Sequence, residues 1–490
     1  MRIPLADLRH PLPCPMSRRE MLRRANIGFG SIALSLLLGE QSDAAPSAYR
    51  SPLAPRPPHF PAKARRMIFL FMKGGPSQVD TFDPKPILQR DHGKPIPIER
   101  PRLLFHSTES DNNLLFGSPW KFDRYGQSGI PVSELFPHVA RCVDDLCVIR
   151  SLHGSNPAHG GATLKLHTGS DSFIRPSMGS WIAYGLGTEN ENLPAFITIA
   201  PTLFHGGVNN YSAAFLPAIY QGTPIGYAGL PADEAKIRYI NNERVGDRLQ
   251  RLQLDLVREM NRRKLASSGP DLDLEARIQS FELAFRMQTA IPELQSFADE
   301  TEETKTLYGL DDEETRDFGH QCLLARRFIE RGVRLVQVTH QNGSGHWDQH
   351  GKLVERHAEN ARKVDRPIAA LLHDLKRRGL LEETLVLWGG EFGRTPTAEA
   401  KENPKDNGRD HNPEGFTMWM AGGGIRGGMV YGGTDDYGYF AVENKVHIHD
   451  LHATILHLLG LDHTRLTYRY ASRDFRLTDV HGEVVHDIIA

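Results

Sequence analysis

Cysteine is scarce in this chain: its 490 residues hold four, Cys14, Cys142, Cys147 and Cys322, and none forms a CxxC pair. A thiolate zinc site and a dithiol redox motif are therefore excluded. Cys142 and Cys147 are close enough in sequence for a disulfide, and equally suited to be free buried thiols. An excess of charge of either sign is also lacking, with Lys+Arg 58 against Asp+Glu 60 and a formal net charge of -2. Bulk basicity thus offers nothing to a nucleic acid, and no acidic surplus argues for disorder. Long hydrophobic runs are missing too: the stretch Ile27–Leu38 is too short and too interrupted by Gly and Ser for a stable membrane span. What remains is a hydrophobic fraction of 39%, enough for a substantial core, and 23 histidines, many of them beside Gly, Asp or Asn. Histidines in such polar stretches point to metal chemistry.

The segment "SRREMLRRANIGFGSIALSLLLGE" sets Arg18 and Arg19 before the apolar stretch, and small residues for cleavage follow near Ala44–Ala48. It resembles a twin-arginine export signal, which addresses folded cargo to the periplasm or cell surface. Residues 1–45 are therefore expected to be a removable signal, with no cysteine for a lipid anchor and no membrane span left after cleavage. Residues 46–64 are proline-rich and are expected to form an extended linker to a domain spanning 65–490.

In that domain, "RMIFLFMKGGPS", "DLCVIRSLHGS", "VRLVQVTHQNGSG" and "ETLVLWGGEFGRTP" are apolar runs that end in Gly and polar residues. Each reads as a buried parallel strand delivering a loop at its carboxyl end. Helical periods lie between them, such as "DRPIAALLHDLKRRGLL" with Ile368, Leu371, Leu372 and Leu375 on one face. Alternating strands and helices predict an α/β fold whose sites lie in the loops beyond the strands' carboxyl ends. A charged helical insertion is expected at about 233–332, its arginines forming a solvated face.

"THQNGSGHWDQHG" brings His340, His346, Asp348 and His350 close together. In an extended segment positions 346, 348 and 350 point to one side, so two imidazoles and a carboxylate can converge. Such ligands suit zinc, manganese or iron better than calcium. "LWGGEFGRTP" supplies Glu391, a metal ligand or base, and Arg394, a holder of an anionic group or an ion-pair partner of Glu391. "GRDHNPEG" adds Asp410 and His411. His452 and His457, five residues apart on a helix, read as surface or packing residues.

These motifs, in this order, resemble the alkaline phosphatase and sulfatase superfamily. More closely, residues 65–485 resemble an uncharacterised family of exported sulfatase-like proteins. "TLVLWGGEFG" is similar to that superfamily's strand ending Thr-Ala-Asp-His-Gly, with Glu391 at the place of a metal-binding aspartate and Phe392 replacing the histidine. "WDQH" is similar to the region that supplies an Asp and a His ligand, and His411 to a late histidine ligand. "HGGATLKLHTG" matches the eleven-residue run that begins at the sulfatase nucleophile and closes on Thr-Gly, which places His159 at the nucleophile position and Thr163 where an arginine is expected. In the first strand's loop, Lys73 and Gly74 stand where an aspartate ligand is expected, with Asp80 and Asp83 as substitutes.

The resemblance implies an alkaline-phosphatase-like three-layer sandwich with a mostly parallel central sheet and a helical insertion. It also implies an exported metal-dependent hydrolase of phosphate or sulfate esters, acting on an anionic ester such as a polysaccharide or other envelope material. The implied ligands of a divalent metal, zinc or manganese, are Asp348, His350, Glu391, His411, Asp80 and His159. His159 is alternatively the nucleophile, and Arg394 or Lys73 stabilises the transferred anion. The competing expectation is a degenerate, catalytically inactive member acting as an exported binding or assembly protein.

Overall fold

A computed structural model describes residues 51–99, 111–237, 246–268, 272–341, 347–399 and 406–490. The expected export signal and His346 lie outside the described residues. No helix among the described residues is long and apolar enough to cross a membrane.

The fold is α/β, built on a nine-stranded mixed sheet. In chain order its strands are β1 (Arg66–Met72), β2 (Leu146–His153), β3 (Phe196–Ile199), β4 (Thr223–Ile225), β5 (Leu335–His340), β6 (Thr384–Gly389), β7 (Phe416–Ala421), β8 (Met429–Tyr431) and β9 (Val446–His447). The spatial order is β8-β2-β7-β6-β1-β5-β3-β4, with β9 beside β2. Only β7 runs against its neighbours β2 and β6, and every other pairing is parallel. The carboxyl ends of β1, β2, β3, β5 and β6 therefore open on one edge.

All seven residues of β1 are buried, so both faces of the central strand are covered, as its unbroken apolar sequence requires. The helices are α1 (His159–Thr168), α2 (Met178–Leu186), α3 (Asp247–Ser268), α4 (Leu272–Gln295), α5 (Arg316–Glu330), α6 (Leu353–Arg377) and α7 (Ile448–Leu458), of which α3 packs on α4 with Leu252, Leu256 and Met260 exposed, and the others bury side chains in the core. Ile368, Leu371, Leu372 and Leu375 of α6 are all buried in the core.

Residues 52–64 carry no helix or strand but lie against the rest of the domain: Arg56 N–H donates to the Leu186 carbonyl, Lys63 N–H to that of Leu458, and Leu53 is buried. Helix α5, inside the expected insertion, is part of the sheet's cover, with Phe318, Cys322, Leu323 and Phe328 in the main core. Two of its arginines are buried in ion pairs, Arg326 with Glu300 (2.7 Å) and Asp374 (3.1 Å) and Arg327 with Asp299 (2.8 Å), while Arg316 of the same helix and Arg263 of α3 are exposed. Burial at the helix–helix seam is offset there by carboxylates from two other segments, Asp299–Glu300 and α6. Cys142, Cys147 and Cys322 are free thiols.

Candidate metal centre

The site begins with register. Met72 lies opposite His340 and Phe71 opposite Gly389, so the chain leaves β1, β5 and β6 side by side. The β1 loop then passes under the β5 loop, with Trp347 N–H donating to the Lys73 carbonyl (2.9 Å). Gly74 makes this possible. Its φ is +108°, and a Cβ there would lie 2.6 Å from Asp348 N and 2.7 Å from Trp347 N. Its own N–H donates to both oxygens of Glu391, at 3.0 Å each. Gly74→Ala is expected to displace Asp348, cost about 2 kcal/mol or more in stability and weaken metal binding. Denaturant unfolding and metal titration measure the two losses.

Asp348 is the hub. Its Oδ1 accepts from Arg394 Nη2 (2.7 Å) and lies 3.0 Å from His350 Nε2 and 3.1 Å from His411 Nε2. Its Oδ2 lies 3.1 Å from His159 Nε2. The three imidazoles come from separate places: His159 opens α1, His350 follows β5, and His411 starts a two-residue strand, His411–Asn412, paired with Gly393–Arg394.

Each imidazole is held by its other nitrogen. His159 Nδ1–H donates to Glu391 Oε1 (2.7 Å), His350 Nδ1–H to Glu399 Oε2 (2.8 Å), and His411 Nδ1–H to the Pro157 carbonyl (2.7 Å). Carboxylate and carbonyl oxygens only accept, so all three Nδ1 atoms carry the proton. All three Nε2 atoms point at one carboxylate. This pattern, an outer acceptor fixing the tautomer and an inner nitrogen aimed at a common point, is how proteins orient metal-binding histidines.

The cluster combines neutral and protonated imidazoles. His411, pushed down to about 4 by burial and by the charges of Arg394 and His159, directs its Nε2 lone pair at the Nε2–H of His350 (3.0 Å), 3.1 Å from a carboxylate oxygen of Asp348. The Nε2 of His159 is buried and lacks an aligned hydrogen bond despite its closeness to Asp348. Against the effect of burial, the carboxylates of Asp348 and Glu399 raise His350 to about 9. Those of Asp348 and Glu391 likewise hold His159 above its ordinary value. Burial alone would raise the two carboxylates as well, yet Arg394 and the imidazoles keep Asp348 far below its usual range, and His159 and Lys73 hold Glu391 at about 2. Two groups of donor atoms lie close enough to share an ion: His159, Asp348 and His411, and His350, Asp410 and His411. The side chains of Asp348 and His350 stay 19% and 28% exposed, so the cluster is reachable from solvent.

Other residues singled out in the sequence are placed differently. Asp80, fully buried, accepts from Arg409 Nε (2.7 Å) and Nη2 (3.1 Å) and from Ser77 Oγ (2.6 Å), so its oxygens are saturated away from the cluster. Asp83 pairs with Lys85 (3.1 Å). Arg394 is fully buried, and besides Asp348 it donates to the carbonyls of Gly74, Gly75 and Arg409. Its donors tie together three segments, at 74–75, 348 and 409, and its carboxylate partner is Asp348, not Glu391. Glu391 stands behind His159, not beside Asp348. His340 turns into the core, where its Nδ1 accepts from Trp347 Nε1 (3.1 Å). Lys73 is buried and shares the fields of Glu391 and Asp348, with its pKa lowered by burial. His452 is buried, and His457 packs on Phe60.

His205 and Glu399 were not evident from sequence. The His205 ring stacks on His159 at 4.9 Å and 13°, on a backbone held at φ +52°. The signal was there: "FITIAPTLFHGG" is one more apolar strand followed by a His-Gly-Gly end. Glu399 offered none, because its contact with His350 spans 49 residues.

In three dimensions the chain is similar to the lipoteichoic acid synthase LtaP from Listeria monocytogenes, at 11% identity and a TM-score of 0.35, over 84% of this chain and 76% of that one. It is similar to the PsFucS1 sulfatase from Pseudoalteromonas sp., at 12% identity and a TM-score of 0.34, over 88% and 71%. It is likewise similar to the alkaline phosphatase of the Antarctic bacterium TAB5, at 10% identity and a TM-score of 0.32, over 81% and 98%. No curated protein sequence matches it. Residues 64–489 match the family model described as "Protein of unknown function (DUF1501)", and the chain belongs to that family.

Proposed function

We propose that this protein is an exported, metal-dependent hydrolase of phosphate or sulfate esters, with His159, Asp348, His350 and His411 as the metal's ligands. The observation that carries the reading is the convergence of three Nε2 atoms on Asp348, each imidazole fixed at Nδ1 by an acceptor behind it. Three imidazoles and one carboxylate are a donor set suited to zinc, with manganese as the second choice. A divalent cation held there supplies positive charge to an ester oxygen and makes a water acidic near neutral pH.

The chain's own residues then have distinct tasks. Glu391, taking the Gly74 N–H on both oxygens and the His159 Nδ1–H, keeps His159 aimed inward. A histidine fixed at Nδ1, with its buried Nε2 left free toward Asp348, is suited to be a ligand more than a nucleophile. Among the described residues no serine, threonine or cysteine hydrogen-bonds to the four ligands, which favours water as the attacking group. Lys73 places a second cation near the cluster for the ester's anionic oxygens. Arg394 is proposed to hold Asp348 in place instead of meeting the substrate. Export rests on the arginine pair and apolar run of residues 18–38.

The test is elemental analysis of protein purified without added metal, with a panel of aryl phosphates and aryl sulfates. About one equivalent of metal, and hydrolysis abolished by a chelator and restored by zinc or manganese, is the expected result. Absence of both metal and hydrolysis would overturn it in favour of an exported binding or assembly protein.

A further inference from the structure

His205 lies on the loop beyond the carboxyl end of β3, on the same edge of the sheet as the metal centre. One face of its ring is covered by His159, with 4.9 Å between centroids and 13° between planes. The residue is nonetheless exposed, so the other face is open to solvent. This pose is imposed on the backbone. His205 sits at φ +52°, a left-handed conformation that a residue with a Cβ adopts only at a cost, and Gly206 and Gly207 follow at +95° and +50°. The buried Asn210 holds the turn, donating from Nδ2 to the His205 carbonyl (3.1 Å), while Phe204 N–H donates to Thr202 Oγ1 (3.2 Å) and Gly207 N–H to the Phe204 carbonyl (3.3 Å). A Cβ at Gly206 would lie 2.4 Å from Asn210 Oδ1, so glycine there lets Asn210 close up to the loop.

The same loop carries exposed apolar surface: Leu203, Phe204 and Val208 are each more than half exposed. Large apolar side chains left together in water mark a contact surface. Val208 belongs to a single 3-10 turn, Gly207–Asn210, that packs against α1, the helix His159 opens. Sites for organic ligands combine apolar and aromatic walls with a few placed polar groups. Here the polar groups are the Asp348 cluster and Lys73, whose charge acts on His205.

We infer that the open face of His205 receives the leaving group of the ester and selects one that carries a ring with an apolar face, aryl or pyranosyl, over an acyclic alcohol. The inference rests on the hydrolase reading for the reaction: the tetrahedral end of the ester goes to the metal and Lys73, and its ring to His205. Stacking rewards a flat partner, because ring on ring covers both faces whereas a short chain leaves the imidazole in water. With His159 fixed by Glu391 and His205 by Asn210, the platform is in place before a substrate arrives, so little ordering cost is left for binding. His205 is thereby a specificity residue and not a ligand of the metal, since its nitrogens are not among the donor atoms close enough to share an ion.

Calorimetric titration of the zinc-loaded protein with phenylphosphonate and methylphosphonate, and with benzenesulfonate and methanesulfonate, tests the platform without requiring turnover. Binding of the aryl member about fivefold tighter than the methyl member is expected, the gain of one aromatic stack. His205→Ala should lose this preference while keeping its metal, and His205→Phe, which retains a flat ring, should keep both. Glucose 1-phosphate bound more tightly than methylphosphonate, with the advantage lost in His205→Ala, extends the platform to pyranosyl groups; no advantage restricts it to aryl groups. Equal affinity for aryl and methyl members, a preference that survives in His205→Ala or vanishes in His205→Phe, metal loss in His205→Ala, or no binding of any of these anions would overturn the proposal. An aryl preference without hydrolysis of any aryl ester leaves the platform standing and removes the hydrolase reading instead.

Discussion

Replacing Asp348 by asparagine is expected to leave the protein without stoichiometric metal and to lower ester hydrolysis by about 10³-fold, equivalent to about 4 kcal/mol of lost transition-state stabilisation. The magnitude follows from its position. One carboxylate serves His159, His350 and His411 within 3.1 Å and also neutralises the buried guanidinium of Arg394 at 2.7 Å. The amide keeps the shape but removes the charge, so the cation loses its anionic ligand and Arg394 is left buried without a counter-charge. Breaking a buried pair from one side costs about 3–5 kcal/mol, so the variant should also unfold at lower denaturant concentration. His350→Ala separates the effects, because His350 touches Asp348 and Glu399 but not Arg394. It should lose metal and activity while keeping most of the stability. Metal content by elemental analysis, turnover of an aryl ester and urea midpoints measure the three quantities. An Asp348→Asn protein that retains full metal occupancy would sink the assignment of Asp348 as the hub.

The strands were legible because each is an uninterrupted apolar run ending in glycine, a pattern that a buried parallel strand and its exit loop impose directly. The same loops carry His159, Asp348, His350, Glu391 and His411, which stand together once the strand order sets β1, β5 and β6 side by side. Roles were less legible than membership. Glu391 sits at the place of an aspartate ligand in the linear pattern, yet its longer side chain lies behind His159 and takes two bonds from Gly74. Arg394 carries a charge that suits an anion, but only the packed loops reveal that three carbonyls and Asp348 consume it. Asp80 meets Arg409 across 329 residues, and no local pattern predicts a pair of that separation. Of the partners of Arg326, Glu330 lies four residues away on the same helix, whereas Glu300 and Asp374 are distant in sequence.

The second large effect expected is acid lability beginning just below pH 6.5. Four histidines away from the Asp348 cluster are fully enclosed, and burial is the leading cause that keeps each neutral: His340 and His357 are lowered to about 3, His167 and His452 to about 4. Three of them act as fixed donors that need no charge: His357 Nδ1–H donates to Gln349 Oε1, His167 Nδ1–H to the Thr163 carbonyl, and His452 Nε2–H to the Leu166 carbonyl. In the unfolded chain each takes a proton near pH 6.5, whereas the folded chain takes it only near pH 3–4. Between those values the unfolded state binds more protons, so stability falls as pH falls, by up to about 1.4 kcal/mol per pH unit for each imidazole. At pH 5 this is about 2 kcal/mol per residue, and four residues approach the whole stability of an ordinary domain. The groups of the Asp348 cluster do not oppose it. His350, raised to about 9, adds stability that is already complete below pH 6.5 and is lost only as pH rises through about 9. Glu391, lowered to about 2, keeps its contribution until far below pH 5. Thermal midpoints between pH 7.5 and 5 should therefore drop steeply, with a slope corresponding to several protons taken up on unfolding. His452→Gln, which keeps a donor for the Leu166 carbonyl but cannot titrate, should reduce that slope by about one proton. A midpoint that stays constant from pH 7.5 to 5 would contradict the burial of these imidazoles in their neutral form.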